Sequence, residues 1–183
     1  MIRALILSLA LAPLAACGFS PVYGTGPGLA NAGPIIIPEI RATTSVGAAS
    51  GRTGHFLRQE LVRTLGQGVP GVTGAAQLDV TLNQNIERLA FAPDQAASRS
   101  DYVGSATWSL RAASGAVIAT GNVKERASFN FADAAYADIA AQTAAQERLA
   151  TLLARSIREQ VLIEAGRSSA AAPAAATPAS PGQ

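Results

Sequence analysis

The chain holds a single cysteine, and its position suggests its chemistry. Cys17 follows Leu14-Ala15-Ala16, a lipobox pattern in which small residues let a processing enzyme bind the chain closely and the next thiol accepts a diacylglyceryl group. Upstream, Met1-Ile2-Arg3 is a short cationic start and Ala4 to Ala12 an apolar run, the layout of a secretory signal and too short for a membrane anchor. Residues 1–16 therefore read as a lipoprotein signal peptide, with Cys17 as the first mature residue. A protein holding two or more acyl chains, each worth about 0.8 kcal/mol per buried methylene, stays on a membrane. Residue 18 is Gly rather than the Asp that commonly retains such proteins at the inner membrane, so the expected destination is the outer membrane.

The remaining reactive groups are sparse. One Cys and one His exclude zinc cages and disulfide frameworks. His55 beside Phe56 reads as a structural histidine, and Glu87, Asp94 and Asp101 lack metal-ligand spacing. Gly24-Thr25-Gly26-Pro27-Gly28 lacks the Lys-Ser/Thr of a phosphate loop. The expectation is a non-enzymatic protein with no cofactor beyond a covalent lipid on Cys17.

The elements that position everything else follow from periodicity. The 183 residues are 49% hydrophobic and 14% charged, enough for one core and too few for two ordinary domains. No run reaches the roughly 18 to 20 apolar residues of a spanning helix. Residues 17–34 form a Gly- and Pro-rich lipidated tether, in which Phe19, Val22 and Tyr23 are large apolar groups expected to dock on a partner or on the domain. Residues 35–167 form one domain.

Ile35 to Ile40 is a β-branched edge strand interrupted by Pro38. Thr53 caps a helix with Phe56, Leu57, Leu61 and Leu65 on one face, closed by Gly66 and Gly68. Three strands of period-two alternation follow. Leu78, Val80, Leu82 and Ile86 open the first; Tyr102, Ala106, Trp108 and Leu110 line the second; Val117, Ala119, Val123, Ala127 and Phe129 line the third. A long helix from about Ala134 to Glu164, started by Asp133 and ended by Gly166, carries a stripe of Tyr136, Ala140, Thr143, Ala150, Leu153, Ile157 and Val161. The uncharged Ala/Pro-rich stretch 168–183 reads as a disordered tail. The predicted fold is α+β: a four-stranded mixed sheet with two helices packed on one face, in the order β-α-β-β-β-α.

Such a sheet leaves one polar face open. On it, Arg111, Lys124 and Arg126 alternate with Ser, Thr and Asn and are candidates for holding phosphate groups. Arg88 sits where the alternation slips, and a bulge there would aim it at the same face. Leu89 and Phe91 flank a long loop, Ala92 to Ser100, whose end is suited to inserting into a partner. Removing Arg3 with the signal leaves 13 basic against 12 acidic side chains, a balance unlike the basic excess of a nucleic-acid binder.

Cys17-Gly18-Phe19-Ser20-Pro21-Val22-Tyr23-Gly24 after the lipobox, followed by this element order, resembles the alphaproteobacterial branch of the LptE family of lipopolysaccharide-assembly lipoproteins over residues 17–165. The resemblance implies a plug and assembly partner of the outer-membrane β-barrel LptD that binds lipopolysaccharide and helps insert it at the cell surface. Phe19, Tyr23, Leu89 and Phe91 would then contact the barrel, and Arg88, Arg111, Lys124 and Arg126 lipid A phosphates. The alternative is an auxiliary lipoprotein of an inner-membrane lipid transport complex.

Overall fold

The computed structural model describes residues 32–44, 50–91, 97–131 and 134–171. The signal peptide, Cys17, Phe19, Tyr23, the centre of the loop after Phe91, Asp133 and the tail from residue 172 lie outside the described residues, as does the side chain of Phe91.

The elements are β1 (Ala32–Ile36), β2 (Arg41–Thr44), α1 (Ser50–Leu65), β3 (Gly74–Phe91), β4 (Ala97–Ala112), β5 (Val117–Asn130) and α2 (Ala135–Ala171). β1 and β2 are two pieces of one edge strand. Both pair parallel with β3, β1 ending at Ile36↔Gln77 and β2 starting at Arg41↔Thr81. The gap contains Pro38, which has no N–H for the ladder. From β3 the sheet continues antiparallel through β4 to β5. This is the expected mixed four-stranded sheet, and it identifies β3 as the parallel neighbour of the first strand. β4 begins at Ala97, so the loop expected over Ala92 to Ser100 is shorter than its sequence suggested.

The alternation read from sequence is the alternation observed. Leu78, Val80, Leu82, Tyr102, Ala106, Trp108, Leu110, Val123, Ala127 and Phe129 are all buried under the two helices. Each large side chain removed from water this way contributes about 1.5–3 kcal/mol. Helix α1 supplies Leu57, Leu61 and Leu65 to the same core. It ends as expected: the Gly66 N–H donates to the Val62 carbonyl at 3.0 Å and the Gly68 N–H to the Leu65 carbonyl at 2.9 Å. Gly68 takes φ +100°, a conformation that favours glycine. The start differs: α1 begins at Ser50, and Thr53 is a buried interior residue rather than the cap.

Helix α2 departs from the reading in two ways. It passes through Gly166 to Ala171, so residues 168–171 belong to the helix and not to the tail. A helical glycine costs only about 1 kcal/mol relative to alanine, and the last turns have compensating contacts. Arg167 pairs with Glu164 at 2.5 Å, and the Ser168 hydroxyl lies 3.0 Å from the Glu164 carbonyl and 3.4 Å from that of Ile118. At 1.5 Å per residue the 37-residue helix is about 55 Å long.

The stripe also shifts. Tyr136 is 86% exposed and Ala140 is exposed, while the buried line begins at Ala145 and runs through Leu149, Leu153, Ile157 and Val161 to Ala165. The α1 residue Arg52 donates to the Thr143 hydroxyl at 2.7 Å. The first turns of α2 thus precede the stretch that α1 covers.

Two glycines set how closely α2 lies on the sheet. A Cβ on Gly104 would stand 3.1 Å from methyls of both Leu149 and Leu153. One on Gly121 would stand 2.7 Å from the Trp108 ring and from Gln160 Oε1. Gly121 faces Trp108 across the ladder, leaving room for the indole, whose N–H donates to Gln160 Oε1 at 3.0 Å. We expect Gly121→Ala to destabilise the fold by about 1–3 kcal/mol, because the surroundings must shift. Gly51→Ala, with nothing within 4 Å, should be neutral or stabilising; equal midpoints for the two in chemical denaturation would contradict this packing.

Candidate binding face of the sheet

The face turned away from the helices is mostly polar, with the buried Val103, between Asn85 and Arg126, as an apolar exception. Three rows across β3, β4 and β5 illustrate it: Asp79–Ser109–Thr120, Thr81–Thr107–Asn122 and Asn83–Ser105–Lys124. Most of these side chains are exposed. Period-two geometry puts them there, since each neighbour in sequence goes to the core.

The structure brings Arg111, Lys124 and Arg126 onto this face, but not together. Lys124 is opposite Ser105, six residues from Arg111 on β4, or about 20 Å at 3.3 Å per residue. Arg111 lies 3.4 Å from Asp79, and both are roughly half exposed. Arg126 lies 3.8 Å from Asp101, whose carboxylate is almost fully buried. Solvent screening makes the half-exposed pair weak, while Arg126 is the cation nearest to a buried charge.

Arg88 lies elsewhere. The register shift falls after it, between Arg88 and Ala90, so Arg88 keeps the phase of Ile86. It is paired with Ser100, and Ser100 in turn with Phe129. Arg88 therefore shares the register position of the helix-covered face, though it is itself exposed beyond the helices' cover. Leu89 is 49% exposed near the end of β3, and Phe91 pairs with Ala97 at the last rung. β1 meets β3 at Gly74, 17 residues from Phe91, so the segment leading to Cys17 joins the domain about 55 Å from this tip.

One cleft lies on the open face and another at the β5 edge beside α2. The break between β1 and β2 leaves the first, of about 760 Å³, lined by Glu39, Gln77, Thr81 and the Asp79–Arg111 pair. The second, about 500 Å³, lies at the β5 edge and is lined by Arg99, Ser128, Asn130 and Arg148. Sequence reading missed Arg99 and Arg148. Nothing local marks them, because they are 49 residues apart and meet only through β5. His55 is exposed on α1, 6.2 Å from the Phe56 ring, in a cleft lined by Glu39, Ile40, Gly51, Gly54 and Arg58. Among the described residues no group of His, Cys, Asp and Glu could hold a metal ion, and no helix is long and apolar enough to cross a membrane.

Behind the face lies a polar relay. The Tyr102 hydroxyl, in a side chain only 1% exposed, is 3.2 Å from Gln142 Oε1 and accepts from Gln146 Nε2 at 3.3 Å. Gln142 donates on to Asp138 at 2.7 Å. Burial pushes the Tyr102 phenol above its usual range; the Gln146 hydrogen bond opposes this and the Asp138 charge adds to it.

No protein-family model matches the chain, and no curated protein matches it. Among solved structures it is similar to a candidate lipoprotein from Caulobacter crescentus, at 28% identity over 76% of this chain and 93% of that one, with a TM-score of 0.49. It is similar to a Xanthomonas campestris protein of the DUF330 family at 13% identity over 82% and 93%, TM-score 0.50. It is also similar to rare lipoprotein B from Shewanella oneidensis at 13% identity over 73% and 94%, TM-score 0.34.

The Tyr102 shift has a sign that can be checked. A phenol whose folded pKa is raised contributes stability that is fully present below the unfolded value near 10 and lost as pH rises through the folded pKa. Between about pH 10 and 12 the stability of the wild type should fall more steeply than that of Tyr102→Phe. Parallel curves from urea melts across that range would contradict it.

Proposed function

We propose that the chain is a lipid-anchored outer-membrane lipoprotein, held through Cys17, that acts without catalysis as plug and assembly partner of a lipopolysaccharide-translocating β-barrel and helps deliver lipopolysaccharide to the cell surface. The observation that carries this reading is the open sheet face. It is long and lined mainly by Ser, Thr and Asn, with charges of both signs among them, and two of its four cations, Arg111 and Arg126, already face carboxylates. A face meant for acyl chains would be apolar. A neutral polar face suits the wall of a water-filled lumen, which a barrel wide enough to pass an amphiphile presents and which must be obstructed against leakage.

Polarity along the molecule supports the same arrangement. The tether joins at one end of the sheet, and Leu89 and Phe91 mark the other, so a domain anchored at the membrane surface can extend its tip into a pore. Lipopolysaccharide phosphates would meet Lys124 and Arg126 on the open face, with Arg111 at its far end and Arg88 at the tip. Phe19 and Tyr23, next to the anchor, would touch the barrel rim.

Capture of the lipidated chain from its own membranes in mild detergent tests this. We expect one large β-barrel at equal stoichiometry. With Leu89→Asp or Phe91→Asp its recovery should fall by about tenfold or more, since a carboxylate buried at an apolar contact costs several kcal/mol. Recovery of inner-membrane transporter subunits without a barrel would overturn the proposal in favour of an auxiliary lipoprotein. Undiminished barrel recovery with both variants would remove the tip from the contact.

A further inference from the structure

The cleft at the β5 edge is lined by two arginines, Arg99 and Arg148. Five arginines, at 63, 111, 126, 155 and 167, each lie within 4.0 Å of a carboxylate. Arg52, Arg58, Arg88, Arg99, Arg148 and Arg158 do not, among the described residues, and of these Arg99 and Arg148 converge on one residue, Ser128. Arg148 reaches from α2 to donate to the Ser128 carbonyl at 2.8 Å, and Arg99 reaches from β4 to the Ser128 hydroxyl at 3.5 Å. No Asp or Glu is among the described residues that line the cleft.

The cleft is open because of what surrounds these groups. Ala141 and Ala144 put only methyls on the helix side, which leaves about 500 Å³ between α2 and the strand edge. Asn130, opposite Arg99 in the ladder, adds an amide, and Ser128 a hydroxyl. A guanidinium has five N–H donors in a planar fork; each arginine here makes one hydrogen bond to Ser128 and retains donors for a ligand. Two such forks, a hydroxyl and an amide around a space without a carboxylate match an oxyanion with several acceptor oxygens.

We propose that the Arg99–Arg148 cleft is a binding site for a phosphate-class anion, a phosphoryl group carried either on a lipid headgroup or on a soluble molecule. Arg148 holds the strand edge and the ligand together, and Arg99 closes on the anion from the open face. The site stands apart from the barrel partnership and from the cations first read off the sequence, and its test does not use a barrel.

The full chain in neutral detergent at low salt is titrated with inorganic pyrophosphate, and separately with phosphatidylcholine vesicles with or without phosphatidic acid, following the arginine Nε–H resonances and vesicle co-sedimentation. Saturable shifts of Arg99 and Arg148 are expected. Arg99→Gln and Arg148→Gln should each weaken binding about tenfold, the scale of losing a hydrogen bond to a charged group. Arg148→Lys should fall between. Arg155→Gln, an exposed α2 variant outside the cleft, should bind as wild type. Arg99-dependent binding of pyrophosphate alone identifies a soluble phosphoryl ligand, and of phosphatidic acid vesicles alone a lipid headgroup; either supports the site. Binding that Arg155→Gln weakens as much as Arg99→Gln does, or no saturable binding of either probe, overturns it. Arg99 touches no backbone partner, so its variant tests the site even where Arg148→Gln loosens the strand edge.

Discussion

A sheet with one apolar face and a free edge needs both covered, and in this protein one helix does most of the covering. Helix α2 lies across β4 and β5, buries Leu149, Leu153 and Ile157 against the sheet, and packs alongside α1. Its polar side chains also reach round the edge. Arg148 donates to the Ser128 carbonyl, Gln160 to that of Asn122, and Ser168 to that of Ile118. These occupy outward carbonyls that would otherwise template pairing with another chain. Gly104 and Gly121 permit the approach, and the Trp108 to Gln160 hydrogen bond joins core and edge.

Because α2 and α1 take one face, the other is left uncovered by them. Its polarity follows from the same period-two alternation that builds the core: most residues sent inward as Leu, Val or Trp have a polar neighbour sent outward. The architecture thus separates an apolar, helix-covered side of the sheet from a mostly polar, uncovered one. The ends differ as well, with Ala32 beside Gly74 at one and Leu89 exposed at the opposite tip.

The parts of the fold legible in the sequence were those written in local periodicity. The alternation from Leu78 to Phe129 gave the three long strands and placed Arg111, Lys124 and Arg126 on one face. Local signals failed where tertiary contacts decide. Gly166 looks like a helix stop, yet contacts among Glu164, Arg167 and Ser168 and with Ile118 carry the helix past it. Tyr136 fits the apolar stripe of α2 but sits before α1 reaches it. The slip near Arg88 is real, but the bulge falls one step later and leaves Arg88 in phase with the core. The ion pairing of Arg111 and Arg126, and the meeting of Arg99 with Arg148 at Ser128, depend on strand register and helix placement, which no short-range pattern encodes.

The central claim is that the open polar face lies against the inside of a β-barrel. Photo-crosslinking in intact cells tests this most directly, with a photoreactive side chain placed one at a time at Asn83, Thr107 and Asn122, exposed positions in the middle of the face. The account predicts that all three capture the same β-barrel membrane protein, while a position on the outer side of α2 such as Arg155 does not. Crosslinks from these positions only to inner-membrane transporter subunits, or equal capture of the barrel from Arg155, would contradict it.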